Sequence, residues 1–118
     1  MKDIRKHITV EDKAYPLVFN LNVLEEIQEK YGSIEAWGNL VDGSDDKMPS
    51  IKGLKYGVQA MINEGIDIEN EENGEDRKPL TSKQVGRLLT AYGVENVISD
   101  TQELTIESTK SDDEPKNA

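Results

Sequence analysis

The chain has 118 residues, 35% of them hydrophobic and 32% charged, with 24 Asp and Glu against 14 Lys and Arg and a formal net charge of −10. That length has room for one core, and the acidic balance excludes phosphate-led nucleic-acid binding and docking on an anionic membrane, which both need clustered cations. No cysteine is present, which excludes disulfides, thiol catalysis and Cys-ligated zinc.

The first residues, MKDIRKHITV, lack an apolar h-region, so no signal peptide is expected. No apolar run reaches membrane-spanning length. IRKHITV, EDK and AYPLVF read as strand, turn and strand, with Ile4, Ile8 and Val10 giving partial alternation. Pro16 cannot donate a ladder hydrogen bond, which puts its strand at an edge or at a bulge. Asn22, with Glu25 three residues on, predicts a capped helix over Val23–Tyr31. Its apolar face is Leu24, Ile27 and Tyr31. Gly32 is the expected stop, and Ser33 caps a second helix from Ile34 to about Val41 that buries Ile34, Trp37, Leu40 and Val41.

Asp42–Pro49 reads as a loop. A third helix is predicted from Ser50 to Glu64, with Ile51, Leu54, Val58, Met61 and Ile62 on one face and Gly65 ending it. Ile66–Pro79 then reads as a long acidic surface connection, since Glu64–Arg77 holds seven acids and one base, a net of −6. Thr81 with Gln84 makes a second capping box, opening a fourth helix to Tyr92 that buries Val85, Leu88, Leu89 and Tyr92, with Gly93 as its stop. Val94, Val97 and Ile98 fit a short fifth helix. The expected fold class is α+β, mostly α: an N-terminal β-hairpin followed by four to five short helices, in one domain over residues 1–99. Residues 100–118 read as an acidic, disordered tail.

Chemical equipment is sparse. His7 is the sole histidine and lacks the partners that a triad or a His-rich metal site requires, so a surface role is favoured. The abundant carboxylates sit in polar stretches, away from the apolar pocket that acid–base pairs need. Two segments resemble calcium loops. ENEENGEDRKPL from Glu69 has Leu80 where the bidentate Glu belongs, and DGSDDK from Asp42 has Lys47 where glycine belongs. No catalytic, cofactor or metal site is expected. Gly53 and Gly57 form a GxxxG spacing that lets another element approach closely. Packing within the chain is favoured over a subunit contact.

The order of elements, with YPLVFNLNVLEEIQEKYGSIEAW early, IKGLKYGVQAMINEG in the middle and LTSKQVGRLLTAYGVENVI late, resembles the small tail assembly chaperones of long-tailed bacteriophages and their prophage and gene-transfer-agent relatives. The likeness covers about residues 8–99. In that family an early …Y.L.F.LNAL.ELEE.YGS… stretch precedes a later LT.EEVG.L one, which Leu80–Gly86 follows in outline. The resemblance implies a non-enzymatic protein of the bacterial host cytoplasm, absent from the mature virion. Its partner would be the tape measure protein, a long helical and aggregation-prone chain, and the tail tube protein would assemble around that client. No nucleic acid, membrane or cofactor is implied, and homo-oligomerisation stays open. Gly53, Tyr56, Gly57 and Met61 on the third helix are the candidate partner-binding residues, against the alternative that all four pack the core. The rival readings are another small phage structural or connector protein, and an acidic nucleic-acid mimic that inhibits a DNA-binding protein.

Overall fold

A computed structural model describes residues 4–43 and 49–109. It is α+β and mostly α: β1 (Arg5–Val10) and β2 (Lys13–Val18) form an antiparallel hairpin, followed by α1 (Leu21–Tyr31), α2 (Ile34–Asp42), α3 (Ile51–Asn73), α4 (Ser82–Tyr92) and α5 (Val94–Thr109). Among the described residues no helix is long and apolar enough to cross a membrane.

The hairpin turn is two residues, Glu11 and Asp12, both at positive φ (52° and 67°). Positive φ at both central positions matches the right-handed twist of the strands. The register runs unbroken from Val10↔Lys13 to Arg5↔Val18, so there is no bulge. A two-residue turn makes Val10 and Lys13 a hydrogen-bonded pair. Alternation then places His7↔Pro16 at a non-bonded position, where the missing N–H of Pro16 costs nothing.

Alternating side chains put the hairpin between two layers. Ile8 and Leu17, both fully buried, share the face that also carries Lys6, whose ammonium reaches Glu103 of α5 at 2.8 Å. Pro16 lies on the opposite face, against α3. There a Cβ built on Gly65 would stand 2.8 Å from Pro16 Cβ and Cγ. Gly65 is therefore the point where helix and strand cross at closest approach. It does not end α3, as its sequence context suggested; the helix continues for two more turns to Asn73 and stops at Gly74, which is left-handed.

Much of the stretch expected to be an acidic loop is thus helical. Its anchor is Glu69, whose side chain is 13% exposed and lies 2.9 Å from His7 Nε2, 3.4 Å from Arg5 and 3.5 Å from Arg77. Arg5 also grips Glu72 through both guanidinium nitrogens, at 2.9 and 3.0 Å, and the Arg77 guanidinium donates to Ala14 O at 3.2 Å. Extended chain then returns along α3. The Asn70 side chain donates to Arg77 O and accepts from Arg77 N, and Asn63 does the same with Leu80, at 2.8–3.1 Å. The calcium-like reading from Glu69 fails here, because its first five positions lie on a helix. The second calcium-like stretch falls largely outside the described residues.

At the other end of α3 the first two helices make a corner. Asn20, not Asn22, is the N-cap of α1, accepting from Val23 N at 3.2 Å. The side chains of both asparagines donate to Glu64. Gly32, at φ 92°, turns the chain, and Ser33 caps α2, as expected. Trp37 and Val41 are buried, but Leu40 faces outward at 37% exposure. Thr81 and Gln84 form the full capping box of α4.

The boundary drawn at residue 100 falls inside α5. Val97, Thr101, Leu104 and Ser108 form its buried stripe, spaced so that they share one face. Residues 100–109 thus belong to the folded body, and the tail expected beyond them lies outside the described residues. Thr101 donates to Ile98 O at 3.0 Å. Among the described residues, Thr105 Oγ1 and Ser108 Oγ are buried without a hydrogen-bond partner.

Candidate functional site

The four residues singled out on α3 separate sharply in space. Met61 is fully buried in the main cluster, and Gly53 and Gly57 are buried as well. The two glycines form a seat for Trp37. Its indole N–H donates to Gly53 O at 2.8 Å, and a Cβ on Gly57 would stand 2.2 Å from the ring. The close approach that GxxxG permits is made by an aromatic ring from α2, within the chain. Gly53, Gly57 and Met61 are therefore packed in the core of this chain. Tyr56 alone reaches the surface.

Tyr56 is half-buried beside α1. Its ring packs edge-on to Tyr31, with centroids 5.6 Å apart, and Lys30 Nζ sits 5.5 Å from its centroid. Its hydroxyl donates to Glu26 O at 3.3 Å. Burial, then the charges of Glu26 and Glu29 and the nearby Tyr31, raise the Tyr56 hydroxyl above its ordinary pKa. The group is a neutral donor throughout the physiological range.

An open groove of about 470 Å³ runs beside this ring, lined by Lys30 of α1, Ile51, Lys52, Lys55 and Tyr56 of α3, and Ser82 at the start of α4. Ile51 is 51% exposed. Lys55 lies across Gly86 of α4, where a built Cβ would be 3.4 Å from its Cε and Nζ. The groove thus joins an apolar ridge to three ammonium groups, and among the described residues no carboxylate lines it.

The surroundings extend this charge. Residues 49–63 and 77–94 contain six Lys and Arg and no Asp or Glu, in a chain that holds 14 and 24 of them. Arg77 is paired with Glu69, but Lys52, Lys55, Lys78, Lys83 and Arg87 make no ion pair among the described residues. The first half of α3 and the whole of α4 therefore carry cations and no carboxylate in an otherwise acidic chain. Of the candidate residues, Tyr56 alone lines the groove. Counting charge segment by segment, rather than over the whole chain, would have found the rest.

A larger groove of about 1050 Å³ opens between the hairpin turn and α4. Lys13, Lys78 and Arg87 line it, but so do Glu11 and Asp12, so its charge is mixed. His7 is engaged by Glu69 on the surface. Among the described residues no three His, Asp or Glu are grouped to hold a metal ion. No family model, no curated protein and no solved structure matches the chain.

Proposed function

We propose that this protein is a non-enzymatic assembly chaperone of the phage-tail type, which binds a helical, aggregation-prone client of tape measure character in the bacterial cytoplasm. The observation that carries the reading is the groove beside Tyr56. It offers an exposed isoleucine and a half-buried tyrosine along a rigid helix, the surface on which an amphipathic helix lays its apolar side. The net charge of −10 keeps such a complex in solution.

The nucleic-acid-mimic reading draws on the carboxylates that α3 holds in order. Glu69 and Glu72 are engaged by Arg5, His7 and Arg77, and Glu64 by Asn20 and Asn22. Asp67 and Glu71 remain, too few on α3 for a double row. The test is co-expression with a tape measure protein, followed by pull-down and a solubility assay. The client is expected to stay soluble and co-elute with the native chain, and to precipitate with Ile51→Asp/Tyr56→Asp. A client equally soluble without this protein would remove the reading.

A further inference from the structure

Resting on the client reading for its groove, the geometry points to the kind of segment recognised: an acidic amphipathic helix, with apolar anchors set against Ile51 and Tyr56 and carboxylates against Lys30, Lys52 and Lys55. The argument is charge complementarity. Three ammonium groups border the groove, and among the described residues none that lines it is acidic. Lys52 and Lys55 have no ion-pair partner among the described residues, whereas Arg5, Lys6 and Arg77 on other faces are paired.

Unpaired cations around an apolar ridge reward a partner that supplies both carboxylates and aliphatic side chains. Their long stems flank the ridge while their heads stay in water. From Ile51 to Gln59 the groove follows α3 for about 12 Å, which is roughly two turns of a partner helix. Anchors four residues apart on that helix lie on one face, with room for acids on either side. A single-stranded nucleic acid would also bring negative charge and could stack on Tyr56. It would lack the long cationic track that backbone binding uses and would leave the apolar side of Ile51 without a partner, so the peptide is favoured.

Fluorescence anisotropy of the full chain decides this. The probes are a synthetic amphipathic helix with leucines on one face and glutamates beside them, the same peptide with lysines for the glutamates, and an oligothymidylate. The acidic helix should bind about tenfold tighter than the lysine version. Lys52→Glu/Lys55→Glu should abolish that preference, with circular dichroism unchanged because neither side chain is buried. Lys13→Glu, in the mixed-charge groove, should leave it intact. Equal binding of the two peptides, a preference for the lysine peptide, or oligothymidylate binding as tight as the acidic helix would each overturn the inference. So would an acidic preference that survives Lys52→Glu/Lys55→Glu. The co-expression assay separates the two readings. A client kept soluble by a protein indifferent to the acidic helix sinks the charge rule and leaves the chaperone. A precipitating client alongside tight acidic-helix binding does the reverse.

Discussion

From Ile51 to Ile66, α3 is held by apolar burial: Leu54, Val58, Met61 and Ile62 are fully excluded from solvent, and Trp37 covers Gly57. From Asp67 to Asn73 the same helix is held by Arg5, His7 and Arg77 around Glu69 and Glu72, and by Asn70 clasping the returning chain. Burial of a large aliphatic side chain contributes about 1.5–3 kcal/mol. A partly exposed ion pair contributes about 1 kcal/mol or less and weakens with salt. One helix can therefore have a rigid half and a conditional half, and the difference lies in what surrounds it.

Breaking the apolar half should cost most. Gly57→Ala drives a methyl into the Trp37 ring and threatens the bond to Gly53 O. About 3 kcal/mol should be lost in urea unfolding, well beyond the roughly 1 kcal/mol that alanine gains in a helix. A loss under about 1 kcal/mol would mean that Trp37 can swing aside at little expense. The next effect is Asn63→Ala, which strips both bonds from the Leu80 backbone and should cost about 1–2 kcal/mol. Amide exchange at Leu80, whose N–H loses its acceptor, should quicken with it; unchanged exchange there would show that the returning chain stays seated on α3 without Asn63.

Glu69→Gln should cost about 1 kcal/mol. Hydrogen exchange should speed up over residues 67–73 and stay slow at Val58, and added salt should shrink the gap between variant and native chain. Uniform loss across α3 would erase the distinction between the halves. The smallest effect is a pH dependence. The hydrogen bond from Arg5 lowers the Glu72 pKa below its ordinary value. A lowered carboxylate stabilises the fold above its unfolded pKa, and that contribution fades as pH falls through the folded value. The Cα shifts of residues 70–73 should thus hold into the acid range and then move toward coil, and Arg5→Gln should bring that change to higher pH.

The same division governs what could be read before the fold was known. Elements that announce themselves by local chemistry were legible: the Gly32–Ser33 corner, and the Thr81–Gln84 box with Gly93 closing its helix. What was misread depends on distant partners. Gly65 looks like a stop because nothing nearby says that Pro16 will press against it. The acids after it look like a loop because Arg5 and His7 are more than sixty positions away. In α5 the buried stripe passes through Thr101 and Ser108, polar residues that interrupt an apolar pattern without leaving the core. For the site, Tyr56 was legible as an aromatic on a strong helix. Gly53 and Gly57 are distinguished from it only by the Trp37 ring seated on them, and Met61 only by its full burial.

The pair of asparagines that clasp the returning chain also acts as a vernier. Asn63 and Asn70 are seven residues apart, about 10.5 Å along a helix at 1.5 Å per residue. Their partners Leu80 and Arg77 are three residues apart, about 10 Å in extended chain. The two scales coincide only at that spacing. Surface connections usually accept insertions and deletions, but one residue added or removed between Arg77 and Leu80 would leave one asparagine facing the wrong peptide group. This short exposed stretch should therefore be as intolerant of length change as a strand in the middle of a sheet.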